Sequence, residues 1–130
     1  MREIAEKLAT AVLNCGLAFH REIGPGLLES VYEQVLADRL TQQGMKVDRQ
    51  QPVKIVIDGK VYPDAFQYDL LVNDLLLIEV KSIERLGPVH IRQTLTYLRL
   101  LNLPLGLILN FGNETFKQGI RRVLNDRYNA

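Results

Sequence analysis

Cysteine, tryptophan and excess charge are nearly missing from this chain: one Cys, no Trp, and a net charge of +1 over 130 residues. A lone cysteine excludes an internal disulfide framework and fits a reducing, cytoplasmic setting. The balance of charge removes any global pull toward nucleic acid or a membrane, so a nucleic-acid role has to rest on local basic patches. No apolar run approaches membrane-spanning length. Met1 to Leu8 carries Arg2, Glu3, Glu6 and Lys7 where a signal peptide would need an apolar segment. There is no internal repeat and no low-complexity segment. What remains is an ordinary globular composition, 47% hydrophobic, at a length that suits one domain, residues 1–130.

Periodicity supplies the elements. Ile4, Leu8, Ala11, Val12, Cys15 and Phe19 recur at helical spacing, which makes Cys15 a core thiol rather than a nucleophile. Gly24-Pro25-Gly26 breaks the chain. A second helix is expected from about Leu27 to Gln42, with Leu28, Val31, Val35, Leu36 and Leu40 on its apolar face. Val53, Ile55 and Ile57 alternate as a strand, and Asp58-Gly59 is a two-residue hairpin signal. The return strand from Lys60 is bent at Pro63. Phe66 to Val72 and Leu75 to Ser82 read as the next hairpin, Gly87-Pro88 opens a helix to about Leu101, and Leu105 to Asn110 is a wholly apolar buried strand. The tail from Phe116 to Leu124 is ambiguous: Phe116, Ile120 and Val123 fit a helix, which Gly119 weakens. The sum is a mixed α/β fold, a central sheet flanked by α-helices.

The chemistry concentrates between Asp69 and Lys81, where two apolar strands flank Asn73-Asp74 and carry Asp69, Glu79 and Lys81. Glu79 and Lys81 share one strand face. Charge among so many Leu, Ile and Val residues is costly unless it pairs or holds a metal. Two carboxylates can hold a hard divalent cation, and a lysine beside them can orient water and offset charge on a phosphate. Taken alone, Glu-x-Lys at a strand end is ordinarily a solvated ion pair. The register of the hairpin decides between these. A two-residue Asn73-Asp74 turn would set Asp69 and Glu79 on opposite faces, whereas a three-residue loop, Asn73 to Leu75, pairs Val72 with Leu76 and brings them together. A metal site therefore requires the longer loop or a bulge. The following helix carries His90, Gln93 and Tyr97 on one face, and the second helix carries Glu29, Tyr32 and Glu33 on one side.

Gly26-Leu-Leu-Glu29-Ser-Val-Tyr32 resembles the GxxExxY signature. Asp69, then Glu79-x-Lys81, then Gln93-x-x-x-Tyr97 resembles the PD-(D/E)xK nuclease superfamily, of which the GxxExxY proteins look like a compact branch. Gly106-Leu-Ile-Leu-Asn-Phe-Gly112 and Gly119-Ile-Arg-Arg122 are similar to that branch as well, and the resemblance runs from about Glu22 to Val123. It implies a restriction-endonuclease-like core. It also implies a site in which Asp69, Glu79 and the Val80 backbone carbonyl bind Mg2+ or Mn2+, with Glu29, and less directly Glu33, as further acids. Lys81 would position the attacking water, and Gln93 and Tyr97 would support the site or touch the phosphate backbone. Tyr32 also stands in the motif. His90 fits the pattern better as a structural hydrogen-bonding residue than as a ligand, because an oxygen-rich site favours hard cations. Pro63-Asp64 spells the superfamily's literal "PD", but it lies five residues before Asp69 across a proline-bent segment, and we place the ligand at Asp69. The chain departs from the branch at Ile91 and Arg92.

The implied activity is metal-dependent phosphodiester hydrolysis of nucleic acid, with DNA the favoured substrate. Because a fold does not dictate chemistry, the alternative is a non-catalytic nucleic-acid- or protein-binding module that keeps the nuclease fold. Lys117, Arg121, Arg122 and Arg127 form one candidate basic cluster, and Arg85, Arg92 and Arg99 another. A homodimer would double this small basic surface.

Overall fold

The structure is a computed structural model that describes residues 1–130. Two helices come first, α1 (Arg2–Ile23) and α2 (Glu29–Gln42). Five strands follow: β1 (Val47–Arg49), β2 (Pro52–Ile57), β3 (Lys60–Gln67), β4 (Leu70–Val72) and β5 (Leu76–Lys81). Helix α3 (Pro88–Leu101) leads to β6 (Leu105–Asn110), a single 3-10 turn (Lys117–Gly119) and β7 (Ile120–Leu124). The main sheet has the order β1-β4-β5-β6-β7, and β2-β3 forms a separate two-stranded sheet. Strands β5 and β6 are parallel, joined by α3 as the crossover, and every other pairing is antiparallel.

Alternation along β5 divides the core. Leu76, Ile78 and Val80 face α1 and α2 within a cluster of 20 buried residues. Leu77 faces α3 within a cluster of six, with Tyr68, Leu98, Leu103, Ile108 and Val123. Glu79 and Lys81 share this thinner side with Leu77. Cys15 is buried in the larger cluster, and burial pushes its thiol up from the ordinary value, so it behaves as a core residue.

Several elements differ from their sequence reading. Helix α2 starts at Glu29, and Leu28 is its 74% exposed N-cap. Its buried side is Tyr32, Glu33, Leu36, Ala37 and Leu40, while Val31 is exposed. Tyr32 sets this rotation: its ring stacks on Phe111 at 4.6 Å and 10°. The expected strand Phe66 to Val72 is two strands in two sheets, because Tyr68 turns into the α3-side core and the Asp69 carbonyl accepts the Gln50 N–H at 2.9 Å. Asp69 therefore stands at the step between sheets, one residue ahead of β4. Pro63 bends β3 without ending it, and the register slips between Val53 and Ile55 opposite it. The ambiguous tail is an edge strand. Gly119 is there for a close approach, since a Cβ on it would lie 2.0 Å from the Asn110 carbonyl oxygen.

Candidate active site

The β4–β5 connection is a three-residue loop. Val72 pairs with Leu76, Leu71 with Leu77 and Leu70 with Ile78, so the next step places Asp69 beside Glu79. The loop needs left-handed backbone, which Asn73 (φ 50) and Asp74 (φ 56) supply. Lys46 steadies it, with its N–H on Asn73 Oδ1 at 2.8 Å and its ammonium on Asp74 at 2.9 Å.

Glu79 is buried at 5% exposure, and its Oε1 has no hydrogen-bond partner. Burial, then the charge of neighbouring Asp69 and the proton the two can share, push its carboxyl up to about 9, while Lys81 pulls it down. Asp69 is held from two sides. Its Oδ2 accepts the Val80 N–H at 2.7 Å, and its Oδ1 accepts the Gln50 side-chain amide at 3.2 Å. Lys81, half-buried at the end of β5, has no ion-pair partner. Tyr97 closes the α3 side. Burial and then the charges of Glu79 and Asp69 raise its hydroxyl, Gln93 one turn earlier partly offsets this, and its ring stacks on Phe66 at 4.1 Å.

The helix acids divide. Glu33 reaches Asp69's neighbourhood from α2. It is 3% exposed, with Oε2 accepting Arg49 Nε at 2.6 Å and Oε1 accepting the Gln50 amide at 2.6 Å. Burial raises its carboxyl most, the two donors lower it, and Asp69 raises it. Glu29 sits exposed in the first turn of α2, with no hydrogen bond or ion pair to the other site residues; it shares the helix face of Glu33 but lies at the exposed start of the helix. Tyr32 supports the chain rather than the carboxylates. Its hydroxyl donates to the Gly24 carbonyl at 2.6 Å and accepts the Leu27 N–H at 3.2 Å. His90 also does structural work, its Nδ1 accepting the Gly87 N–H at 2.9 Å at the start of α3. Asp64 is exposed on β3 in the separate two-stranded sheet.

Three neighbours of the site have no role assigned by the sequence alone. Arg49 and Gln50 are two. Asn110, which pairs with Lys81 across β5–β6, is the third. It is fully buried; its Oδ1 accepts the Ile83 and Gly112 N–H groups, and its Nδ2 donates to the Ile83 carbonyl and Asn113 Oδ1. It thereby fixes the chain leaving Lys81. The clue to its role is its place in the Gly106 to Gly112 block, at the end of an otherwise apolar strand where a buried amide must find partners.

The fold is a mixed five-stranded sheet flanked by helices, and its acidic pair and lysine lie together on one face. A profile of the PD-(D/E)XK nuclease superfamily matches residues 6–123, and the chain belongs to that superfamily. No curated protein and no solved structure matches it significantly. Nucleases of this superfamily generally use divalent metals. The residues here fit one: the donors are all oxygen, as hard cations require, and Glu79 Oε1 is buried and unpartnered. No three His, Cys, Asp or Glu side chains converge in ligating range, so the fit rests on two carboxylates and backbone oxygen. No helix is long and apolar enough to cross a membrane.

Proposed function

We propose that residues 1–130 act as one nuclease-like domain of the GxxExxY branch, hydrolysing phosphodiester bonds of nucleic acid, with DNA the favoured substrate and Mg2+ or Mn2+ the cofactor. The observation that carries this reading is the orphaned Glu79 oxygen beside Asp69: without metal the buried group stays protonated with an unpartnered oxygen, and a cation would favour its ionised, ligating form. Asp69, Glu79 and the Val80 carbonyl hold the cation. When bound, it polarises the phosphate and lowers the pKa of coordinated water. Lys81, free of any ion pair, orients the attacking water and offsets charge that builds on the phosphate. Tyr97 and Gln93 flank the carboxylates from α3 and support them or meet the phosphate backbone. Glu33 is the helix acid of the site in place of Glu29.

Both basic clusters keep cations free of ion pairs: Lys117, Arg121 and Arg127 in the C-terminal one, Arg85 and Arg92 in the one beside the site. Arg122 is paired with Glu6 and Arg99 with Asp126, whereas Arg85 and Arg92 have no ion pair and flank the exit of Lys81 and the start of α3. Two copies of the chain would enlarge this surface, and the buried reduced Cys15 suits a cytoplasmic setting. A cleavage assay on single- and double-stranded DNA and RNA with Mg2+ or Mn2+, run beside Lys81→Ala, tests the reading. Cleavage by the wild type that falls at least 100-fold in the variant supports it; inert wild type with every substrate and both metals favours the binding module.

A further inference from the structure

The geometry points to Gln50 as a positioning residue for Asp69, set in place by Glu33 and resting on the metal-site reading above. Gln50 follows β1 with φ 55, a left-handed backbone that a non-glycine residue adopts at some energetic cost. Nothing in the turn requires a long side chain there; glycine or asparagine would sit with less strain. The side chain has a specific task. Its amide has two N–H donors, one directed to Glu33 Oε1 at 2.6 Å and the other to Asp69 Oδ1 at 3.2 Å. The opposite amide orientation would aim its carbonyl at two carboxylates, so the donors' assignment follows from the neighbours. Its backbone N–H also donates to the Asp69 carbonyl at 2.9 Å. Gln50 thus holds Asp69 by main chain and side chain at once.

Glu33 completes the device. Arg49 Nε and the Gln50 amide occupy its two oxygens, so it anchors Gln50 instead of offering a free ligand oxygen. With the Val80 N–H on Oδ2, both Asp69 oxygens are oriented while each keeps lone pairs for a cation. Partners that orient a ligand ordinarily matter tenfold to a hundredfold in metal affinity.

The test is Mn2+ binding to the full chain, followed by calorimetry, for wild type, Gln50→Gly and Gln50→Asn, with metal-free melting and DNA-cleavage kinetics beside it. Both replacements tolerate the left-handed backbone. Glycine removes the amide, and asparagine is one methylene too short to bridge both carboxylates. The expected result is a folded variant that melts somewhat lower without metal, because Glu33 and Asp69 each lose a donor, with Mn2+ affinity weaker by about 10- to 100-fold and a loss in kcat with little change in KM. Equal Mn2+ affinity in wild type and a folded Gln50 variant overturns the positioning role while leaving the metal site intact. Should Gln50→Gly fail to fold, Gln50→Asn decides by the same comparison. A wild type that binds no Mn2+ removes the metal-site reading, and the role of Gln50 with it.

Discussion

Glu79 has the most perturbed environment of the candidate site, with consequences for stability. Burial and Asp69 raise its carboxyl from 4.5 to about 9, so the folded chain keeps a proton that the unfolded chain releases. Stability from this group is fully present below the unfolded value and is lost as pH rises toward 9. Glu79→Gln mimics the protonated form. In metal-free buffer it should be close to wild type near pH 4.5, and more stable by on the order of 1–3 kcal/mol at pH 8 to 9. Melting curves across that range check this; a constant difference at all pH values would mean that Glu79 does not titrate as described. The residues legible in the sequence were those whose chemistry conflicts with their local pattern: acids and a lysine among Leu, Ile and Val. Arg49 and Gln50 were not, because their roles arise from contacts 16 to 19 residues away, made across the step between two sheets.

Among elements, the β4–β5 hairpin shows how far a period of two reaches. One residue more or less in the loop exchanges the faces, and the three-residue connection sets Asp69 on the same face as Glu79. The rotation of α2 was less accessible. Leu28 and Val31 look like core by hydrophobicity, yet the aromatic stack of Tyr32 on Phe111 turns them outward and turns Glu33 in. Strand β1, three residues long, is too short to leave a periodic signal. Tyr32 also links elements. Its hydroxyl ties both sides of the Gly24-Pro25-Gly26 elbow between α1 and α2 while its ring sits in the core. Tyr32→Phe should keep the packing, lose about 1–2 kcal/mol of stability, and expose the elbow to proteolysis. Unfolding by denaturant and limited digestion measure these effects; an unchanged midpoint and digestion pattern would show that the hydroxyl holds nothing.

At the scale of the whole molecule, a thick core on the α1–α2 side supports a thinner layer under α3, and the acidic pair lies in that thinner layer. Such an arrangement gives a rigid β5 with charge buried on one side of it and loops from Ser82 and Phe111 at its end, fixed together by Asn110. The Asp69–Glu79–Lys81 face is proposed as a metal-dependent nuclease site, and Asp69→Asn probes that proposal. The substitution removes one charge with little change of shape. Wild type should cleave DNA with Mg2+ or Mn2+, and Asp69→Asn should not. The variant should stay folded without metal, melting somewhat lower because its amide can accept only one of the two N–H donors that Asp69 accepts, and should still bind DNA in metal-free buffer with an affinity that falls as salt rises. Cleavage that survives Asp69→Asn unchanged, or a wild type that neither cleaves nor binds either cation, would rule out a metal-dependent nuclease site on this face.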